Sequence, residues 1–233
     1  MFPFFFFDRT MFLLIPALIL AVYAQAKVRG AFSRYSQVRA RRGATGAQVA
    51  QELLRQNGVR DVEVEPTGGT LTDHYDPRKH VLKLSEGVYY SNSVAALGVA
   101  AHETGHAVQH SLGYFPLALR NGFVPFANFG SMLAFPLFFI GLFIGGNRLL
   151  MDIGIILFTL AVAFHIVTLP VELNASRRAL GMLSSGGYLA QDEVGSARAV
   201  LNAAAWTYVA SATMAVMQLL RMLMLRGAFG DND

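Results

Sequence analysis

Residues 153–171 read IGIILFTLAVAFHIVTLPV, a run without a single Asp, Glu, Lys or Arg. Crossing the hydrocarbon core of a bilayer takes about 20 apolar residues of helix, so this stretch predicts a membrane span. Residues 123–147 are equally poor in charge and pair with it as a two-span hairpin, with Arg148 and Asp152 in the turn between. Residues 10–26, behind a Phe-rich start, form a further apolar segment. A last one, residues 199–220, is diluted by Asn202, Thr207, Ser211 and Thr213 and followed by Arg221 and Arg226. It reads either as a fourth span or as a helix packed on the others. The fold class expected is a mainly α membrane protein with three to four transmembrane helices.

Composition agrees. Of the 233 residues, 54% are hydrophobic and only 15% charged, against about 25% charged in a typical soluble domain. The net charge of +4 does not point to nucleic acid, because the basic residues are not interleaved with exposed aromatics on a soluble domain. There is no cysteine, so disulfides and thiolate metal sites are excluded and any transition-metal site must use His, Asp and Glu.

Charge placement orients the chain. Ala24-Gln25-Ala26 has the look of a signal-cleavage site, yet Asp8 and Arg9 cancel where a signal peptide would be positive. Directly afterwards come Lys27, Arg29, Arg34, Arg39, Arg41 and Arg42 with no acidic residue among them. Such a block resists translocation, so residues 1–26 read as an uncleaved anchor with the N-terminus outside. It is topology signalling or, alternatively, an anionic-lipid site. Parity then gives a cytoplasmic region over 27–122, the hairpin over 123–171, a cytoplasmic helix over 172–198 carrying Arg177, Arg178 and Arg198, and a membrane-associated helix and tail over 199–233. Within the hairpin, the spacing of Gly141 and Gly145 suits close helix packing. The expected location is a cell membrane, multi-pass, of the bacterial inner-membrane type.

Residues 27–122 are the polar part able to fold as a small α+β domain. Residues 45–57 predict an amphipathic helix, with Val49, Leu53 and Leu54 on one side and Gly58 past its end. Residues 62–64 and 81–84 alternate as strands, separated by Gly68-Gly69 and Asp76-Pro77 turn chemistry. Residues 91–113 predict an Ala-rich helix that carries Ala101-His102-Glu103-Thr104-Gly105-His106.

That motif carries the chemistry. Residues four apart share a helix face, so His102 and His106 can grip one zinc ion. Glu103 sits beside them, placed to take a proton from an attacking water and pass it to a leaving amine. Gly105 costs a helix about 1 kcal/mol relative to Ala, which suggests that another backbone passes close by. Two structural histidines on a helix are the plain alternative.

A third ligand is needed. Candidates are His74, His80, His110, His165, Glu172, Asp192 and Glu193. His110 continues the same helix face, but three ligands along one straight helix cannot converge on a tetrahedral ion. His165 lies inside a span and reads as a packing or interhelical hydrogen-bonding residue. Glu193, at a helix start, reads as a partner of the helix dipole. Glu172 is better placed, at the end of a span and on the same side as the two histidines by parity; a simple interface charge is its alternative. Asp73-His74-Tyr75 either lines the substrate cleft, with His74 or Tyr75 stabilising the oxyanion, or is turn chemistry before Pro77. Arg177 and Arg178 either bind a substrate carbonyl or carboxylate or anchor the topology. Gln109 makes a polar contact on the motif helix.

Taken together, the segments at 102–109 and 169–180 resemble the YugP-type membrane zinc metallopeptidases, as do those at 71–77 and 200–210. More distantly the layout is similar to HtpX-type gluzincins, in which a Glu on a later helix completes the zinc site. The resemblance implies a zincin-like metallopeptidase with Glu172 as third ligand. HtpX-type enzymes carry an Asp four residues after that Glu. Ser176 stands there in this chain, so Asn174 or Ser176 is left to supply a weaker hydrogen bond to a zinc histidine.

The expectation is therefore a zinc endopeptidase with one Zn²⁺ per chain on His102, His106 and Glu172, and Glu103 as general base and then acid. His74, Tyr75 and Arg178 are candidate oxyanion or substrate contacts. Its partners are a protein or peptide substrate, the lipid bilayer, and a membrane-protein regulator or second copy of itself, but no nucleic acid. An extended substrate is expected to pair with the strand at 81–84. The rival class is a non-catalytic membrane scaffold or partner-binding protein that keeps a structural zinc.

Overall fold

The computed structural model describes residues 9–230, the side chains of 229 and 230 apart. Asp8 and the Phe-rich start fall outside the described residues. After a 3-10 turn at Arg9–Leu14 the elements run α1 (Ile15–Ser36), α2 (Gly46–Gln56), β1 (Glu63–Thr67), β2 (His74–Asp76), β3 (Val81–Ser85), α3 (Glu86–Tyr89), α4 (Val94–Ser111), α5 (Phe115–Phe143), α6 (Arg148–Ser185) and α7 (Gln191–Gly230).

Among the described residues four helical stretches are long and apolar enough to cross a membrane: Arg9–Ser36, Phe115–Phe143, Arg148–Ser185 and Gln191–Ala228. Each extends beyond its apolar segment at one end or both, except that α5 stops at Phe143, short of residue 147. There Gly145 and Gly146 take positive φ and turn the chain, a conformation that costs glycine little. Large apolar side chains on these helices are exposed, Ile19, Phe126, Met132 and Ile156 among them.

Backbone contacts divide the chain into two compact units. One comprises Met1–Ala24, Leu119–Leu169 and Thr207–Asp233. Its core gathers Ala134, Phe138, Met151, Phe158 and Met222. Glycines set the spacing of α5 and α6. A β-carbon on Gly130 would lie 2.6 Å from the Leu157 carbonyl oxygen, and one on Gly154 2.7 Å from that of Ala134. Gly141 is packed as tightly against the start of α6, whereas Gly145 serves the turn with nothing near it, so the expected Gly141–Gly145 packing pair is half correct. Arg226 pairs with Asp152 at 2.9 Å, and Arg221 donates to Thr10 at 3.2 Å. Both arginines thus have intramolecular partners.

The other unit comprises Gln25–Ala118 and Pro170–Trp206. Its helix α2 starts with a capping box: Thr45 accepts from the Gln48 amide while Gln48 accepts from the Thr45 amide. That satisfies two of the orphan N–H groups of a helix start. Val49, Ala50, Leu53 and Leu54 are buried on its inner side. The sheet has the order β1-β3-β2. β1 runs parallel to β3, with Val64 opposite Leu82, and β2 runs antiparallel to it, with Tyr75 also opposite Leu82. Pro66 is tolerated because β1 is an edge strand. Leu82 and Leu84, alternate residues of β3, are fully buried and pack with Ala50, Leu54, Ala96, Ala100 and Val108.

β3 is therefore the central strand, hydrogen-bonded on both sides. This corrects the expectation that a substrate pairs with residues 81–84: residues 81–83 are paired on both sides, with β1 and with β2. β2 went unpredicted as a strand because three residues before a Pro77 turn are too few to show an alternation.

Helix α4 explains why the sheet and helices cohere. One side of it (Ala96, Ala100, Ala107, Val108) packs towards the sheet and α2. Another (Val94, Leu97, Ala101) packs with Ala179, Leu183, Ala197 and Leu201 of α6 and α7. A helix apolar on several sides must be buried all round, and α4 is.

Candidate metal centre

α4 begins where the Ser93 hydroxyl accepts from the Ala96 amide, and its Ala-rich first half lets neighbouring backbones approach. The closest approach is at Gly105. A β-carbon there would stand 2.8 Å from the carbonyl oxygen of Ala175, which no side chain tolerates. The close neighbour inferred from Gly105 is thus the backbone of helix α6. The contact sets Glu172, about one turn before Ala175, against the two histidines.

Nε2 of His102 lies 3.2 Å from Oε2 of Glu172, and Nε2 of His106 lies 3.5 Å from the same oxygen. The imidazole rings are 4.8 Å apart and nearly perpendicular. A tetrahedral ion with ligand bonds of about 2.0–2.1 Å holds its donor atoms about 3.3 Å apart. The two measured separations bracket that value, and the donor set of two imidazoles and a carboxylate is one that zinc takes. Among the described residues this is the one group of three or more His, Asp or Glu side chains close enough to hold a metal.

Each histidine is held from behind. His106 Nδ1 is 3.0 Å from Oε1 of Gln109, itself fully buried. Gln109 Nε2 donates to the Val171 carbonyl at 2.8 Å and to Asn174 Oδ1 at 3.0 Å. Arg178 Nε donates to the same Asn174 oxygen at 2.8 Å. His102 Nδ1 is 3.1 Å from the Ser176 hydroxyl. Such outer partners orient metal-binding imidazoles. Of the two candidates for this role, Ser176 makes the direct contact with a histidine, while Asn174 acts through Gln109. What the sequence did not disclose was the reach of Gln109 to Val171 and Asn174. Its one local signal is the three-residue spacing from His106.

The field at the centre is negative. Burial pulls the His106 imidazole towards its neutral form. The Glu172 hydrogen bond, the charges of Glu103 and Glu172 and the Gln109 contact outweigh it and raise the pKa above the ordinary histidine value. What favours a proton there also favours a metal cation. Glu103 is 8% exposed, and its carboxylate makes no hydrogen bond or ion pair with the described residues. Its oxygens are not sealed from the surface, so beside the histidines the carboxylate is open to a reactant.

The remaining candidates have other partners. His74 Nδ1 faces the Thr72 carbonyl at 2.8 Å and the side chain is exposed. The Tyr75 hydroxyl is 2.9 Å from His110 Nδ1, and burial pushes that phenol up to about 12. His80 pairs with Asp61 at 2.6 Å and packs edge-on against His110 at 5.5 Å. His165 packs on Phe164. Asp192 pairs with Arg41, and Glu193 accepts from the Arg41 and Ala190 amides, the helix-start role expected of it. Arg178 turns towards Asn174, whereas Arg177 is exposed.

Fold and centre together define a class: a mainly helical chain with long apolar helices and a group of two histidines and a glutamate close enough to hold a metal ion. Within that class, the chain belongs to the family described as "Putative neutral zinc metallopeptidase", whose model matches residues 10–227. It is 49% identical over 214 residues to the "Putative membrane protease YugP" of Bacillus subtilis (strain 168), an alignment covering 92% of this chain and 95% of that one. No solved structure matches it.

Proposed function

We propose that the chain is a membrane-embedded zinc endopeptidase whose site faces the cytoplasm close to the bilayer. The observation that carries the reading is Glu103, whose carboxylate has no hydrogen bond or ion pair among the described residues, adjacent to a histidine that shares a metal-sized group with His106 and Glu172. A purely structural zinc has no use for that carboxylate.

His102, His106 and Glu172 would hold the ion. Bound there, zinc supplies a Lewis acid that polarises a peptide carbonyl and makes water a nucleophile near neutral pH. Glu103 accepts the proton of the attacking water and delivers it to the departing amine. Gln109 and Ser176 keep the two imidazoles in place while this happens. An extended peptide adds at the outer edge of β2, which among the described residues pairs only with β3 and touches α4 through Tyr75 and His110. Main-chain pairing of that kind holds a scissile bond extended.

Membrane residence is supported by the four long apolar helices and by their exposed Ile, Phe and Met side chains. The cytoplasmic orientation rests on charge. Apart from Arg9, Arg120, Arg148, Arg221 and Arg226, every Lys and Arg of the chain lies in the unit that holds the centre, as the positive-inside rule requires of a cytoplasmic portion.

The test is Glu103→Gln in purified, zinc-loaded protein. It is expected to keep stoichiometric zinc while lowering hydrolysis of an unstructured casein by about 10²–10⁴-fold. Unchanged hydrolysis, or a wild-type chain that takes up no zinc, would sink the enzyme reading. Zinc uptake with no hydrolysis in the wild type would leave the structural-zinc scaffold.

A further inference from the structure

We infer that Arg178 is a positioning residue: through Asn174 and Gln109, and together with the Val171 carbonyl, it fixes which nitrogen of His106 faces the metal. The inference rests on the metallopeptidase reading and adds a residue to it.

The logic follows from which groups can only donate and which can only accept. An arginine side chain has donors and no acceptor. Its Nε lies 2.8 Å from the Asn174 side chain, so the Asn174 atom facing it must be the amide oxygen. That same oxygen faces Gln109 at 3.0 Å. Being already defined as an acceptor, it requires the Gln109 amide nitrogen to point towards it. The Val171 carbonyl, 2.8 Å away and able only to accept, takes the other hydrogen of the same nitrogen, so it and the Asn174 oxygen held by Arg178 fix Gln109 together. Gln109 must then present its oxygen to His106 Nδ1 at 3.0 Å. An amide oxygen only accepts, so Nδ1 carries the hydrogen and the lone pair sits on Nε2, the atom directed at Glu172. Amide and imidazole orientations are interchangeable in shape; a donor-only group at one end of the chain and a ligand nitrogen at the other remove that freedom.

The two histidines differ in this respect. Nδ1 of His102 faces Ser176, 3.1 Å away, whose hydroxyl both donates and accepts. His102 adapts, and His106 is preset. The direction of the two arginines fits: Arg177 is exposed, while Arg178 is half-buried over Asn174.

The experiment measures zinc affinity by chelator competition together with ¹⁵N-histidine spectra of the zinc-loaded chain; neither requires turnover. In the wild type, His106 is expected to show a protonated Nδ1 and a metal-bound Nε2; coordination through Nδ1 would overturn the inference without any variant. Arg178→Ala is expected to weaken zinc binding by about tenfold, the low end for loss of an outer partner, and to broaden or shift the His106 Nδ1–H signal. Arg178→Lys, which restores a donor, is expected to recover most of the loss. Asn174→Asp gives an acceptor on both oxygens, so orientation no longer depends on Arg178. In that background Arg178→Ala is expected to leave the His106 signature in place. Equal losses in both backgrounds, or wild-type affinity in Arg178→Ala, would show that Arg178 does not act by orientation. A wild type that binds no zinc would take down the metallopeptidase reading as well; zinc binding indifferent to Arg178 overturns this inference alone.

Discussion

Gly105 of α4 and Ala175 of α6 are in backbone contact, close enough that a β-carbon on Gly105 would lie 2.8 Å from the Ala175 carbonyl oxygen. The centre depends on this contact, because Glu172 meets His102 and His106 only while the two backbones touch. Gly105→Ala adds helix propensity of about 1 kcal/mol and overpacking of about 1–3 kcal/mol. The net effect expected is a modest loss of thermal stability with a clear loss of zinc affinity. Gly98→Ala is the control: there a β-carbon meets Ala197 at an ordinary 3.7 Å. It is expected to leave zinc binding intact and stability equal or slightly higher. Thermal unfolding in detergent, with and without zinc, measures both. Unchanged zinc affinity in Gly105→Ala would show that the contact does not set the site.

Glu172 supplies the oxygen at which both imidazole nitrogens converge. Glu172→Ala is expected to abolish stoichiometric zinc, and Glu172→Asp, one methylene shorter, to weaken it by at least tenfold, within the range seen for disturbed metal sites. Metal analysis of the purified variants decides the matter. Full zinc occupancy in Glu172→Ala would remove this residue from the centre.

Local chemistry was legible where it acted over a few residues. The start of α2 near Thr45, its close before Gly58, and the one-turn spacing of His102 and His106 are all within-helix features, and α4 forms where its Ala-rich stretch predicts. The apolar segments marked the middles of α1, α5, α6 and α7 but not their ends. Hydropathy reports lipid-like character, whereas residues such as Asn174 and Arg178 continue the same helix because they pack and hydrogen-bond within it. What stayed hidden was long-range. Gln109 finds Val171 and Asn174 more than 60 residues away, and β3 becomes central only because the three residues of β2 pair with it. Neither follows from a pattern along one segment. Glu172 lay between these cases: its place at a span end already favoured it among seven candidates, and the family resemblance then implied it as third ligand.

The Thr45 cap offers a stability test away from the centre. Thr45→Ala removes the hydroxyl that accepts the Gln48 amide, a loss of about 1 kcal/mol at an N-cap. The variant is expected to unfold at lower temperature than the wild type with zinc affinity unchanged. A drop in zinc affinity as well would tie α2 to the centre more closely than the packing implies.

Tyr75 gives the chain an alkaline limit. Its phenol is pushed up to about 12, first by burial and then by the charges of Asp61 and Asp76, while in the unfolded chain it titrates near 10. A folded pKa above the unfolded one contributes stability that is whole below about pH 10. That contribution is lost as pH rises towards 12, because the unfolded chain ionises first. Tyr75→Phe lacks the group, so its unfolding temperature is expected to fall less steeply than that of the wild type between pH 9.5 and 11.5. At neutral pH the variant is expected to be the less stable of the two, having lost the hydrogen bond to His110, a contribution of about 1 kcal/mol. Parallel pH profiles for the two proteins would mean that Tyr75 ionises as freely in the folded chain as in the unfolded one, and that its hydroxyl is not held between β2 and α4.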